Sequence, residues 1–230
     1  MHSGACWIDF HTHIDRNAPL AAAENVVRIV STPLNEADLP PENAVLYTLE
    51  LHPWFGNTVE SCFERLAALE KFSGIGEVGL DRLRGKLPLD EQITVLEQAV
   101  LLAEKLQKPL TIHCVKCFSE LLQLYKKLSW RVPTAIHYYR GNLAQAQQLW
   151  QHTHFILSLP PAIYNQHELL EFLRKNPEYL QRIVLETDDP HHGDIIKHYQ
   201  TMAQLLKLEV DSLQQIIQQN VERFYHVGIV

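Results

Sequence analysis

The runs GIGEVG at residues 74–79 and LTIH at residues 110–113 determine the fold class. Each run is short and apolar enough to form a buried strand, and residues 89–107 between them carry apolar side chains at helical spacing. A strand, a helix and a second strand in this order are typical of a parallel βαβ unit.

The same alternation extends outward in both directions along the chain. We predict eight strands, at residues 7–11, 26–31, 44–51, 74–79, 110–113, 134–137, 155–159 and 183–186. We predict helices at residues 63–72, 89–107, 118–128, 143–151, 167–175, 195–206 and 212–225, the last with Asp211 as its N-cap. Eight such units predict an α/β fold, a single (β/α)8 TIM-type barrel domain over residues 1–230. The connections after the first two strands are short, so we expect reduced helices there.

Residue types that bind metals end five of the predicted strands. They are His11, His13, Glu77, His113, His137 and Asp188. The carboxyl ends of barrel strands meet at one mouth, where catalytic residues lie, so we expect these side chains to converge. Imidazole combined with carboxylate suits zinc, manganese, nickel or iron, and a carboxylate-rich site also accepts magnesium. Asp9 and Asp81 lie near the same strand ends, and we expect them to orient the ligands.

Two other motifs have metal-site spacing but are interpreted as structural. His152 and His154 repeat the spacing of His11 and His13, but they precede a predicted strand and therefore belong at the opposite end of the barrel. Cys114 and Cys117 lack the second cysteine pair that a zinc knuckle requires.

Composition excludes several classes of protein. The formal net charge of −7 argues against a broad basic surface that coats duplex nucleic acid. We find no apolar run long enough to span a membrane and no secretory signal at the N-terminus. Four cysteines do not form a disulfide framework in a chain of 230 residues. We therefore expect a cytoplasmic enzyme without a membrane partner, and a monomer by default.

The chain resembles the TatD family of metal-dependent deoxyribonucleases. The resemblance rests on motifs in family order: DFHTH at residues 9–13, HPW at 52–54, GEVGLD at 76–81, KP at 108–109, IH at 112–113 and 136–137, LETD at 185–188, and NVERF at 220–224. It implies two divalent metal ions, with His11, His13 and Asp188 on one, His113 and His137 on the other, and Glu77 bridging them. Their identity (Mg²⁺, Mn²⁺ or Zn²⁺) is left open.

The chain also departs from the family pattern outside these ligands. Tyr138, Tyr139 and Arg140 stand where the family commonly has Cys-Phe-Ser, and Val115 stands where an arginine is frequent. The reaction type is unaffected by these changes, because the proposed metal ligands are all present. The surface that would contact substrate matches less well.

The resulting hypothesis is a deoxyribonuclease that cleaves phosphodiester bonds with a two-metal-activated water, most simply an exonuclease on single-stranded or frayed DNA. Asp188 and Glu77 are the expected catalytic residues, with Asp188 also able to accept a proton from the water. Arg140, His52 and Trp54 are the expected substrate contacts, whereas Arg82, Arg84 and Lys86 are interpreted as a solvated loop. The alternatives are a small-molecule phosphoesterase or amidohydrolase, and a non-catalytic metal-binding module.

Overall fold

Parallel strands follow one another around a single sheet in chain order. In this computed structural model, which describes residues 6–13, 25–33, 46–56, 72–189 and 194–228, they are β1 (Trp7–Thr12), β2 (Val26–Pro33), β3 (Leu46–Leu51), β4 (Gly74–Asp81), β5 (Leu110–Val115), β6 (Thr134–Ile136), β7 (Ile156–Leu159) and β8 (Ile183–Leu185). A parallel bridge between Thr12 and Asp188 brings the end of β8 beside β1. The predicted barrel is confirmed.

Four of the described α-helices connect the strands from β4 to β8, and two follow β8. They are α1 (Leu89–Leu106), α2 (Phe118–Leu128), α3 (Leu143–His152), α4 (His167–Lys175), α5 (Ile195–Leu206) and α6 (Val210–Tyr225). Two 3₁₀ helices, Pro161–Asn165 and Pro177–Arg182, were not predicted. None of these helices has the length and apolar character needed to cross a membrane. The reduced connections after β1 and β2, and residues 63–71 of the first predicted helix, lie outside the described residues.

Some predicted element ends differ from the structure. The prediction of Asp211 as an N-cap is wrong, because α6 begins at Val210 behind Glu209, whose side chain makes no capping hydrogen bond. The prediction that β6 includes His137 is also wrong, since the strand ends at Ile136. His137 instead donates its backbone N–H to the carbonyl of Ile112 as the chain leaves the sheet. β4 and β5 run two residues further than predicted.

The two faces of β1 have different functions. Phe10 is fully buried and packs edge-on against the ring of Phe224 in α6, with the ring centroids 5.1 Å apart. Successive side chains of a strand point to opposite faces, so Asp9 and His11 point away from this contact. The apolar face of β1 therefore packs against α6, while its polar face places Asp9 and His11 in the barrel interior.

Gly76 allows β4 to approach β5 closely. Its φ is +137°, and a Cβ at this position would lie 2.3 Å from the backbone oxygen of Thr111. Only glycine adopts this conformation at such a distance without a clash. The close approach sets the next residue, Glu77, beside His113 of the neighbouring strand.

A buried histidine ties α5 to the end of β7. His198 is 1% exposed, and its Nε2 lies 2.8 Å from the carbonyl oxygen of Leu159, which can only accept a hydrogen bond. Nε2 therefore carries the proton, and Nδ1, 2.7 Å from the hydroxyl of Tyr164, is the acceptor. Burial, opposed by the Leu159 hydrogen bond and the charge of Glu186, lowers the pKa of His198 to about 4.

This histidine predicts a pH dependence of stability. The unfolded chain binds the His198 proton below its ordinary pKa of 6.5, whereas the folded chain does so only near pH 4. The free energy of unfolding should therefore fall as the pH drops through this window, by about 3 kcal/mol in total. Urea denaturation of the protein and of His198→Gln at several pH values checks this result. Equal pH slopes in the two proteins would contradict it.

Candidate metal centre

The six predicted ligands lie together at the carboxyl end of the barrel, around Glu77. One carboxylate oxygen of this residue, Oε2, lies 3.4 Å from Nε2 of His11 and 3.4 Å from Nε2 of His13. The other oxygen, Oε1, contacts Nδ1 of His113 and lies 3.4 Å from Nε2 of His137. The two oxygens of one buried carboxylate thus face two different sets of imidazoles.

Asp188 completes one side of this cluster. Its Oδ1 lies 3.6 Å from Nε2 of His137, 3.7 Å from Nε2 of His13 and 3.9 Å from Nε2 of His11. Its backbone is in the left-handed region, with φ +67°, and is held there by hydrogen bonds with β1. The Asp188 N–H donates to the carbonyl of His11, and the His13 N–H donates to the carbonyl of Asp188. The hydrogen bonds that close the barrel therefore also orient this carboxylate, which is one-third exposed.

The arrangement of these donor atoms fits a metal centre. Three overlapping groups each offer three ligand atoms that all lie within 4.8 Å of one another. They are His11–Glu77–His137, His11–His13–Asp188 and His52–Glu77–His113. Buried imidazole and carboxylate donors at this density suit a divalent transition metal, which would also neutralise the buried carboxylate.

The electrostatics of the cluster are those of a site that attracts cations. Burial alone would raise the pKa of Glu77, but the charge of His137 and hydrogen bonds from the surrounding histidines hold it well below its usual value. Burial would likewise lower the pKa of His13 and His137, yet contacts with carboxylates raise them to about 9 and about 10. The cluster therefore keeps its carboxylate charged and favours protons on His13 and His137, whereas burial and the charge of His137 lower the pKa of His11. A divalent ion would replace the protons on His13 and His137.

Two carboxylates hold the outward ring nitrogens of the histidines. Oδ2 of Asp81 lies 3.1 Å from Nε2 of His113, whose Nδ1 faces Glu77. Oε1 of Glu186 lies 3.1 Å from Nδ1 of His137, whose Nε2 faces the cluster. A carboxylate on the far nitrogen fixes the tautomer and leaves the inner nitrogen free as a ligand. Asp9, expected to act in the same way, instead binds the backbone N–H and the hydroxyl of Thr187.

His52 faces the cluster through Nε2, while its other ring nitrogen is bound to the backbone. Its Nδ1 accepts a hydrogen bond of 3.1 Å from the backbone N–H of Trp54, so in the neutral ring the proton is on Nε2. That Nε2 lies 3.0 Å from Oε1 of Glu77. His52 is therefore an N–H donor toward the centre, although its position alone would also allow metal binding.

A cavity of about 860 Å³ opens above the cluster. On one side, the guanidinium of Arg84 lies 5.1 Å from the ring centre of Trp54, whose indole N–H donates to Asp81 at 2.6 Å. On another side, the guanidinium of Arg140 lies 5.5 Å from the ring centre of Tyr138. The cavity is thus lined by carboxylates and imidazoles at its base and by two arginine–aromatic pairs at its rim.

Several residues at this site were missed or interpreted differently from the sequence. Glu186 was noted at a strand end but not assigned a role, and Glu50 was not identified at all. Arg84 was interpreted as solvated, yet it lines the cavity. His154, which was interpreted as structural, contacts the hydroxyl of Tyr125 and the carbonyl of Val132. It belongs to none of the candidate metal groups within the described residues.

Comparisons with known proteins identify the family of this chain. The sequence model of the TatD related DNase family matches residues 8–226. The human 3'-5' RNA nuclease TATDN2 is 32% identical over 166 residues, which cover 67% of this chain and 21% of that protein. The 3'-5' ssDNA/RNA exonuclease TatD of Klebsiella pneumoniae is 27% identical over 150 residues, covering 63% of this chain and 57% of that protein.

Solved structures show the same fold. YJJV, a TatD homologue from Escherichia coli, superposes with a TM-score of 0.79 at 21% identity, covering 97% of this chain and 99% of that one. A TatD-family hydrolase from Entamoeba histolytica gives a TM-score of 0.77 at 17% identity, with coverage of 96% and 98%. The matched segment runs through all the strands that carry the cluster, and the chain belongs to the TatD related DNase family.

Proposed function

We propose that this protein is a metal-dependent nuclease that removes nucleotides from an end of single-stranded DNA or RNA. The observation that carries the proposal is Glu77, because its two oxygens face two sets of histidines at the mouth of the family's barrel. A carboxylate in this position can be shared by two ions. The named nucleases among the relatives support the reaction, although the chain spans about a fifth of the human relative and about 57% of the bacterial one.

The residues divide between two ions as the family resemblance implies. His11, His13 and Asp188 would hold one ion, His113 and His137 the other, and Glu77 both. Nε2 of His137 also lies close to Asp188, so the two sites are in direct contact. Bound ions would supply Lewis-acid stabilisation of the phosphate and a lowered pKa for a water molecule. The four imidazoles favour manganese or zinc over magnesium.

Asp188 and His52 have complementary roles in the proposed reaction. Asp188 is a partly exposed carboxylate beside the cluster, and it can accept the proton of the attacking water. His52 presents an N–H to the same centre and can donate a hydrogen bond to a phosphate oxygen. The buried Asp81 and Glu186 contact the outward nitrogens of His113 and His137, so that the inner nitrogens would face the ions.

The rim of the cavity suits a single strand. Arginine stacked on an exposed aromatic ring offers a cation for phosphate and a flat surface for a base. Trp54 with Arg84 and Tyr138 with Arg140 provide two such pairs. Because the whole chain carries a net charge of −7, these local cations are a specific feature of the mouth and not part of a basic surface.

A small-molecule phosphoesterase is the second candidate function. A cavity of about 860 Å³ falls in the range of pockets that enclose a single small ligand, so it would also accept one terminal nucleotide or a metabolite of similar size. The two functions differ in how far the substrate extends over the rim. Only a polynucleotide would gain affinity from both arginine–aromatic pairs.

Arg84→Ala tests this difference. We expect it to raise KM for a single-stranded oligonucleotide roughly tenfold, equivalent to about 1.4 kcal/mol, with kcat unchanged. KM for a mononucleotide p-nitrophenyl ester should not change. Arg82→Ala is the matched control, since Arg82 is two residues away and pairs with Glu120 outside the cavity. Equal catalytic efficiency on both substrates in the wild-type protein, with no effect of Arg84→Ala, would support the small-molecule function instead.

A further inference from the structure

A third carboxylate faces the outward nitrogen of a histidine in the cluster. Oε2 of Glu50, on β3, lies 3.8 Å from Nδ1 of His13, while Nε2 of the same ring faces Glu77 and Asp188. Asp81 and Glu186 stand in the same relation to His113 and His137. Each of these three rings therefore lies between an outer carboxylate and the centre.

Glu50 has few other polar partners among the described residues. It is 2% exposed, and the hydroxyl of Ser31 donates to its Oε2 over 3.5 Å, whereas the contact with His13 is longer than a hydrogen bond. The Ser31 hydroxyl also lies within hydrogen-bond distance of the carbonyl of Gly76, to which it can donate, and it accepts from the N–H of Glu77. Burying a carboxylate costs free energy unless it meets a donor or a cation. The contact with the ring of His13 offsets part of this cost.

His13 is also the ring that most needs such a partner. Its side chain is 38% exposed, whereas His11, His113 and His137 are each at most 9% exposed. Packing restricts the three buried rings, but it leaves His13 freer to rotate or to change tautomer. A carboxylate oxygen 3.8 Å from Nδ1 favours the proton on that nitrogen, which leaves the lone pair of Nε2 directed at the centre.

We propose that Glu50 is a positioning residue that fixes His13 as an Nε2 ligand of the metal centre. The inference rests on the metal centre of the proposed function, but it does not depend on the substrate. Glu50 lies in β3 two residues before His52, which directly follows the end of the strand. The end of β3 therefore carries two different functions: Glu50 orients a ligand, and His52 donates a hydrogen bond toward the centre.

The test measures metal binding without substrate. Manganese binding is titrated calorimetrically for the wild-type protein, Glu50→Leu, Glu50→Gln and Thr48→Val, with folding checked by circular dichroism. Glu50→Leu removes the acceptor and should weaken one binding step by roughly 10- to 100-fold while the other step changes little. Glu50→Gln keeps an acceptor oxygen and should weaken it less. Thr48→Val is the control, because Thr48 is buried on the same strand and its hydroxyl has no described hydrogen-bond partner.

A second measurement reads the tautomer directly and needs no variant. In the zinc-loaded wild-type protein, ¹⁵N spectra of the histidine rings should show the His13 proton on Nδ1. A proton on Nε2, or a folded Glu50→Leu protein with unchanged affinity in both steps, would overturn the role of Glu50. A wild-type protein that binds no metal would instead refute the proposed function, so the two failures are distinguishable.

Discussion

Asp188→Asn is expected to lower kcat for a single-stranded oligonucleotide by about 10²–10⁴-fold. The substitution removes the charge that would accept a proton and hold an ion, but it keeps the number of non-hydrogen atoms in the side chain. Asparagine also tolerates the left-handed backbone of this position, where φ is +67°. The free energy of unfolding should therefore change by no more than about 0.5 kcal/mol.

Steady-state kinetics of the two proteins, each saturated with manganese, and urea denaturation of both proteins without metal check this prediction together. Saturation matters because the variant should also bind the ion more weakly. Turnover within a few-fold of wild type would show that Asp188 is not part of the reaction. A large loss of stability would show that the variant reports on folding and not on catalysis.

Glu77→Gln is expected to weaken metal binding strongly and to abolish activity. Glu77 is 1% exposed, and its oxygens contact histidines on both sides of the cluster, so one substitution affects both proposed ions. A neutral amide also presents an N–H₂ group where one oxygen faced imidazole nitrogens. We expect affinity for the more tightly bound ion to fall by at least about 100-fold, a loss at the upper end of those measured for residues that support metal ligands.

Calorimetric titration with manganese and zinc measures this effect. Glu97→Gln is a suitable control, because Glu97 pairs with Lys127 in an exposed contact between helices. It removes the same charge without touching the cluster, and its metal affinity should equal that of wild type. Two unchanged binding steps in Glu77→Gln would contradict a shared carboxylate.

Periodicity predicted the barrel because each strand and helix has a strong local signal. The α2, α4 and α5 boundaries match the predicted ranges at both ends. The N-terminus of α6 was missed because Asp211 has the residue type of a cap, whereas packing of the whole helix sets its start two positions earlier, behind Glu209. β6 was predicted one residue too long, because strand propensity does not show where a chain leaves the sheet.

The candidate ligands were found because residues at the ends of parallel strands converge, a rule that depends only on topology. Two of the carboxylates that face the outward histidine nitrogens were harder to find from the sequence. Glu50 and Glu186 act on histidines of other strands, and sequence spacing gives no information about which neighbouring ring a buried carboxylate will face. Arg84 is exposed, as expected for a solvated loop, but its position over the ring of Trp54 depends on a contact between separate segments of the chain that the sequence does not show.

The most direct test is cleavage of a single strand by the metal-loaded protein. DNA and RNA oligonucleotides labelled at the 5' end or, in parallel reactions, at the 3' end are incubated with protein reconstituted separately with magnesium, manganese and zinc, and the products are separated by length. A metal-dependent nuclease that acts from an end should give a ladder of products shortened one nucleotide at a time, and chelation of the metal should stop it. Intact oligonucleotides with every metal, in protein shown to be fully metal-loaded, would contradict the account.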